Sequence, residues 1–290
     1  MIYYFERSQI DNFKYNNCIK LAVNSRIYAY SWYLDIVADH WSTLVLNDYE
    51  AVMPLPWRSK YFIKYVYPPA WTQQLGVFSK KTISQNLLKE FVSAIPKKFK
   101  KVTIQFNSGN DLSLFKIQKR VNYILPLNKD YKEIYKRFNK NRKRDIKKAV
   151  YKNYKISKKI NTSEFLNFYL NEPKNYKLNK NQITSIKNLL SSNNKLVRIW
   201  GIREDEKLIA SLIWLKDNNR ITYLLPISTK IAKDNGLPTL IISELIKQFS
   251  DSDFVFDFEG SMIDGVADFY RSFKSEKESY FLHQKPFSLF

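Results

Sequence analysis

The chain has 290 residues, 44% of them hydrophobic, and a formal charge of +21 at pH 7. That length and apolar content suffice for one large or two ordinary globular domains with real cores, which excludes a disordered polyelectrolyte despite the charge. A single cysteine, Cys18, excludes an internal disulfide, and His40 and His283, far apart in sequence, give no zinc-ligand spacing, so no metal is expected. Cys18 reads as a small buried hydrophobe and both histidines as surface or packing residues. No apolar run approaches the roughly 20 residues that cross a bilayer, and the opening MIYYFERSQID lacks a signal-peptide layout. A cytoplasmic protein is expected, with peripheral membrane contact left open.

In chain order, 28–41 reads as a helix, 43–46 and 51–57 as a hairpin around Asn47-Asp48, and 61–67 as a strand closed by Pro68-Pro69. A helix at 83–95 and strands in KKVTIQFNSGN and RVNYILPLN follow. The loop PPAWTQQLGVFS carries Trp71, Gln73 and Gln74. Aromatic and amide groups on a connecting loop suit ligand binding, so these three are candidate substrate-binding residues, although Trp71 equally suits a packing plug.

Residues 131–150 read as one amphipathic helix. Tyr131, Ile134, Tyr135 and Phe138 recur at helical spacing, and the same face continues through Arg142 to Ile146 and Ala149. The segment 129–159 holds 14 Lys or Arg against Asp130, Glu133 and Asp145, a net of +11 and about half the total charge. Such a stretch suits phosphate on RNA, a coenzyme or a lipid-linked precursor, or it is a solvated helix face. Asn141, Arg142 and Arg144 are candidate substrate-binding residues here.

The second half repeats the order of the first: strands at 196–202, 208–215 and 221–225, the last closed by Pro226, then a helix at 238–249, a strand at 254–258, a helix at 264–273 and a strand at 280–283. The repetition predicts an α/β (α+β) protein of two related units, 1–128 and 153–290, joined by a basic linking helix at 129–152. Within FDFEGSMIDGVADFYRSF, period-two alternation puts Phe254, Phe256 and Phe258 on one face of a strand and Asp257 and Glu259 on the other. A carboxylate beside aromatics needs a charged or hydrogen-bonding partner. Glu259 is the candidate base toward a cationic amine or a cap of the following turn, and Asp257 is either a second acid of that site or a partner of a neighbouring strand or of the arginines of the linking helix. Ser261 and Asp264 have capping-box spacing, and Val266, Phe269, Tyr270 and Phe273 form one apolar stripe on the helix that follows.

Three-strand meander, helix, strand, helix is an order that resembles the GNAT acyltransferase fold, and its duplication around a basic helix resembles the Fem family of aminoacyltransferases. FDFEGSMIDGVADFYRSF and NRKRDIKKA carry the local likeness. The resemblance implies two tandem GNAT-like units, each a mixed, mostly antiparallel sheet flanked by helices. It implies transfer of an acyl or aminoacyl group from a coenzyme A thioester or aminoacyl-tRNA to a primary amine, as on a cell-envelope precursor, with Tyr270 as the acid that protonates the leaving group. It also implies that acyl-coenzyme A lies at the start of the helix after the fourth strand. The matching stretch is STKIAKDNGLPT, with Lys233, Asn235, Gly236, Leu237 and Thr239 beside Leu225 and Ile227 of the preceding strand. Of the family's glycine motif only Gly236 is present, which shifts the expectation toward an aminoacyl-tRNA donor and RNA contact through the basic helix. A non-catalytic nucleic-acid- or precursor-binding protein of the same fold is the alternative.

Overall fold

The computed structural model describes residues 1–112, 115, 117–174, 176–192, 194–260 and 262–285. The chain divides into two compact units, Met1–Val121 with the stretch that begins at Ser279, and Asn122–Glu278.

The first unit contains β1 (Ile2–Glu6), α1 (Asn12–Leu21), α2 (Ser31–Val37), β2 (His40–Leu46), β3 (Ala51–Lys60), β4 (Ile63–Val66), β5 (Phe78–Ser79), α3 (Gln85–Ser93), β6 (Phe99–Phe106) and the beginning of β7 (Ile117–Pro126). Strands β1 to β4 form an antiparallel meander, β5 adds to β3, and β4 runs parallel to β6. The expected 43–57 hairpin is present, with Leu46 opposite Ala51. The helix expected over 28–41 stops at Val37, because Ala38 is extended and His40 already pairs with Trp57 in the sheet. In α3, Ser84 caps the first turn by accepting from the Leu87 N–H, and Leu88 and Phe91, three apart, bury one face. They close on Met53, Leu55, Val66, Phe99, Val102 and Phe106 to form the core.

The second unit contains the end of β7, then α4 (Tyr131–Arg137), α5 (Lys140–Tyr151), α6 (Thr162–Asn171), α7 (Lys180–Ser191), β8 (Val197–Glu204), β9 (Lys207–Lys216), β10 (Arg220–Ser228), α8 (Lys230–Asp234), α9 (Leu237–Phe249), β11 (Val255–Asp257), α10 (Asp264–Arg271) and the beginning of β12 (Glu276–Lys285). The pairings of the first unit recur here. Strands β8, β9 and β10 form an antiparallel meander, a helix follows, and β11 runs parallel to β10. The proline expected to close the third strand does not. Register shifts between Tyr223 and Leu225, and β10 runs on through Pro226 to Ser228, as proline is tolerated beside such irregularities.

Three further expectations change. The 131–150 helix is two helices, since Phe138 is extended and Asn139 caps α5 by accepting from the Arg142 N–H. That basic helix belongs to the second unit rather than lying between units at 129–152, because α5 packs against α9. The closing residues from Ser279 belong to the first unit, where Phe281–Lys285 pair with β6. His283 sits within β12, opposite Ile104, with Phe281 opposite Phe106 two residues before.

Candidate active site

In the second unit, β10 and β11 pair only from Arg220–Val255 to Thr222–Asp257, after which β10 continues and β11 ends. Aromatic rings gather where they part. Tyr223 lies 6.4 Å from Phe258 and 6.1 Å from Tyr270 between ring centroids, Phe258 lies 5.0 Å from Tyr270, and Phe273 packs beneath at 5.4 Å from Phe258.

The short strand changes the expected sharing of faces. Phe256, Phe258 and Asp257 are all buried, so both faces of this segment are covered. Asp257 is 1% exposed and held from several sides. Arg220 Nη1 donates to its Oδ2 at 2.5 Å, while Asn122 Nδ2 at 2.9 Å and the Glu259 N–H at 2.8 Å donate to its Oδ1. The same Arg220 spans to Glu278 at 3.0 and 3.2 Å. Burial alone would lower the Arg220 guanidinium, but the Asp257 and Glu278 charges outweigh it and hold it above its ordinary value. Asp257 thus satisfies the partner requirement within the protein, which was one of its two expected roles, and it fixes the backbone of the turn that follows.

Glu259 lies in that turn, beyond the strand, with φ of 53°. This left-handed conformation turns the chain out of the sheet and leaves Glu259 half-buried. Ser261, expected in a capping box with Asp264, lies outside the described residues; α10 begins at Asp264 with Ile263 at the N-cap and no side-chain cap. Tyr270 on α10 is 8% exposed, and Phe273, just past the end of the helix, is fully buried, so the end of the predicted apolar stripe faces the core. Burial raises the Tyr270 phenol well above the usual range, and the Glu259 and Asp257 charges add to the rise. Burial likewise raises Tyr223, with Tyr270 and Tyr176 contributing. The Tyr169 hydroxyl donates to that of Tyr176 at 3.1 Å. A half-buried Glu259 therefore stands beside the Tyr270 phenol, which burial keeps protonated at neutral pH, a pair able to take a proton from an amine and to donate one to a developing oxyanion or leaving oxygen. Tyr176 and Tyr223 carry no sequence signal that marks them, because only the tertiary fold brings them toward Tyr270.

The stretch implied for coenzyme A is a packed joint. Leu225, Ile227, Asn235, Leu237 and Thr239 are between 0% and 8% exposed and Gly236 is buried, leaving Lys233 as the exposed member of the seven. Gly236 has φ of +73°, and a Cβ on it would stand 2.5 Å from Asp145 Cβ and 2.7 Å from the Asp145 carbonyl oxygen. Asp145 accepts from the Thr239 hydroxyl at 3.2 Å and pairs with Arg142 at 3.1 Å, and Arg142 also donates to Thr239 Oγ1 at 2.9 Å. The Arg142 guanidinium lies 4.7 Å from the Phe269 ring centroid, and burial lowers it from its ordinary value. The start of α9 thus already meets a carboxylate, and Pro238 removes one of its N–H donors. These residues do not fit a coenzyme pyrophosphate.

Asn141 and Arg144 are exposed on α5. Lys140, Lys143, Arg144, Lys147, Lys148 and Tyr151 line a surface hollow of about 700 Å³ on that helix. Trp71, Gln73 and Gln74 belong to the first unit. Gln74 is fully buried and donates to Gln73 Oε1 at 2.7 Å, and the Trp71 carbonyl accepts from the Tyr33 hydroxyl. Gln73 borders a cavity of about 10 Å³, room for about one water rather than a substrate.

No protein-family model and no curated protein matches the chain. Solved structures do. The chain is similar to FemX, with TM-score 0.69 and 10% identity over 94% of this chain and 96% of that one. It is similar to a tandem GNAT protein from the clavulanic acid biosynthesis pathway, with TM-score 0.55 and 9% identity over 99% of each chain. It is also similar to L-PGS from Bacillus licheniformis, with TM-score 0.54 and 15% identity over 86% of this chain and 85% of that one. At such identities the likeness is one of fold, and the chain has the mixed α/β fold of two tandem GNAT-like units shared with these proteins.

Proposed function

We propose that the chain is an N-acyltransferase that moves an aminoacyl group from an aminoacyl-tRNA ester to a primary amine, with the chemistry at Glu259 and Tyr270. The observation that carries this reading is the half-buried Glu259 beside a buried, protonated Tyr270 where β10 and β11 part. An ammonium pairs with Glu259 and gives it a proton, and the freed amine attacks the ester carbonyl. The oxyanion collapses with cleavage of the C–O bond, the leaving oxygen takes the Tyr270 proton, the new amide nitrogen's surplus proton replaces it on Tyr270, and Glu259 releases its proton to solvent. Positioning supplies as much as roughly 7 to 11 kcal/mol of such a barrier and acid–base groups roughly 10² to 10⁴ in rate, so neither metal nor covalent nucleophile is needed.

The choice of donor follows from two places on the second unit. The start of α9 is closed by Asp145 and Arg142, which disfavours a coenzyme pyrophosphate there, whereas the exposed cations of α5 suit an RNA backbone. The amine acceptor, on this reading, belongs to a cell-envelope precursor. The test is to incubate the full chain with tRNA charged with radiolabelled amino acids, and separately with a labelled coenzyme A thioester, against a panel of primary amines. Esters and thioesters hydrolyse in base and amides do not, so base-stable label from the charged tRNA is the expected result. Absence of base-stable label from either donor would overturn the reading, and label from the thioester alone would overturn the donor.

A further inference from the structure

In the first unit, β3 and β4 pair from Trp57–Val66 to Lys60–Ile63, leaving Tyr61 and Phe62 as a two-residue turn. Their φ angles are 49° and 64°. A turn with both central residues left-handed favours Asn-Gly or Asp-Gly, because bulky side chains are strained there. The β8–β9 hairpin makes a turn of the same kind with the polar pair Asp205-Glu206, φ 48° and 62°. At the β3–β4 tip the strained positions instead hold aromatics, and both project into solvent: Tyr61 is 81% and Phe62 104% exposed, with Ile63 at 37%. Folding alone gives no reason for this choice, since neither ring packs into the core.

The surroundings are basic. Lys60 and Lys64 flank the tip, and Lys64 pairs with Phe99 at the start of β6, where Lys97, Lys98, Lys100 and Lys101 cluster. The nearby acids are each engaged by a cation, Glu6 by Lys98 at 3.0 Å and Asp39 by Arg58 at 3.2 Å. An apolar point ringed by lysines is the complement of an anionic lipid surface, where aromatic side chains settle at the headgroup level and ammonium groups meet lipid phosphates.

We infer that the Lys60–Lys64 hairpin is a peripheral anchor for an anionic lipid bilayer, with Tyr61 and Phe62 entering the headgroup region and Lys60, Lys64 and the lysines at the start of β6 pairing with phosphates. Single-stranded nucleic acid fits less well. It stacks bases on open ring faces along a groove, whereas this tip is convex, carries aliphatic Ile63, and has the Lys60 ammonium 5.3 Å from the Tyr61 ring centroid. The inference does not rest on the transferase reading.

The experiment is co-sedimentation of the full chain with vesicles of phosphatidylcholine alone and of phosphatidylcholine mixed equally with phosphatidylglycerol. The double variant Tyr61→Asn/Phe62→Gly supplies favoured turn residues, so its melting temperature should match or exceed that of the parent and any lost binding cannot be misfolding. The parent should pellet with the anionic vesicles and not with the neutral ones, and the double variant should lose roughly tenfold or more in partitioning. Lys60→Ser/Lys64→Ser should lose on the order of fivefold for each lysine, an effect that fades as salt rises. A parent that ignores anionic vesicles would overturn the inference. So would a double variant that pellets like the parent, which would assign the binding to another basic surface, or one that loses affinity for RNA or for a protein partner while keeping its affinity for vesicles.

Discussion

Two charged corners of the second unit carry opposite lessons. At the start of α9, Asp145, Arg142 and Thr239 bond to one another over Gly236, and the position that a glycine motif marks for an anion is filled from inside. At the end of β11, the chain seals Asp257 with Arg220 and Asn122 and then turns through a left-handed Glu259, whose side chain remains half-buried. Both corners pair an acid with neighbours, yet Asp145 is tied to Arg142 and Thr239 over Gly236, whereas Glu259 stands beside the buried Tyr270 phenol. What packs onto a motif, rather than the motif's place in the chain, decides whether it binds anything.

The largest expected effect lies in the sealed half of the second corner. Arg220→Ala leaves Asp257 and Glu278 buried without their cation, and should cost about 3 to 5 kcal/mol in urea unfolding of the full chain. A loss below about 1 kcal/mol would mean that the network is solvated and that Asp257 is as reachable as Glu259. At the first corner, Gly236→Ala places a methyl group against the Asp145 backbone in a left-handed conformation, and should cost about 1 to 3 kcal/mol. Unchanged stability there would show that α5 and α9 separate easily, reopening the helix end to an anion.

Much of the fold was legible because its signals are local. The Asn47-Asp48 hairpin, the Leu88 and Phe91 face of α3, and the apolar runs of β8 and β9 follow from turn chemistry, periodicity and composition. Helices α6 and α7 are not legible, although Asn161 and Asn179 cap them, because asparagine recurs through both and lysine and asparagine crowd the stretch between them, which resembles loop. The break at Phe138 was hidden by an apolar stripe that continues across it. In the site, the acidic pair was visible but its geometry was not. Assigning Asp257 and Glu259 to one face assumed a longer strand, and neither the left-handed turn at Glu259 nor the convergence of Tyr223, Tyr176 and Tyr270 is encoded by spacing. Gly236 had the residue type that a pyrophosphate loop needs, but its close contact with Asp145 explains it as a helix-packing glycine.

The contrast between the two acids is tested most directly by Glu259→Gln and Asp257→Asn, measured side by side for aminoacyl transfer and thermal melting. Glu259→Gln should lower turnover by roughly 10² or more while melting stays at the parent value, and Asp257→Asn should lower the melting temperature. Parental turnover in Glu259→Gln would contradict the account.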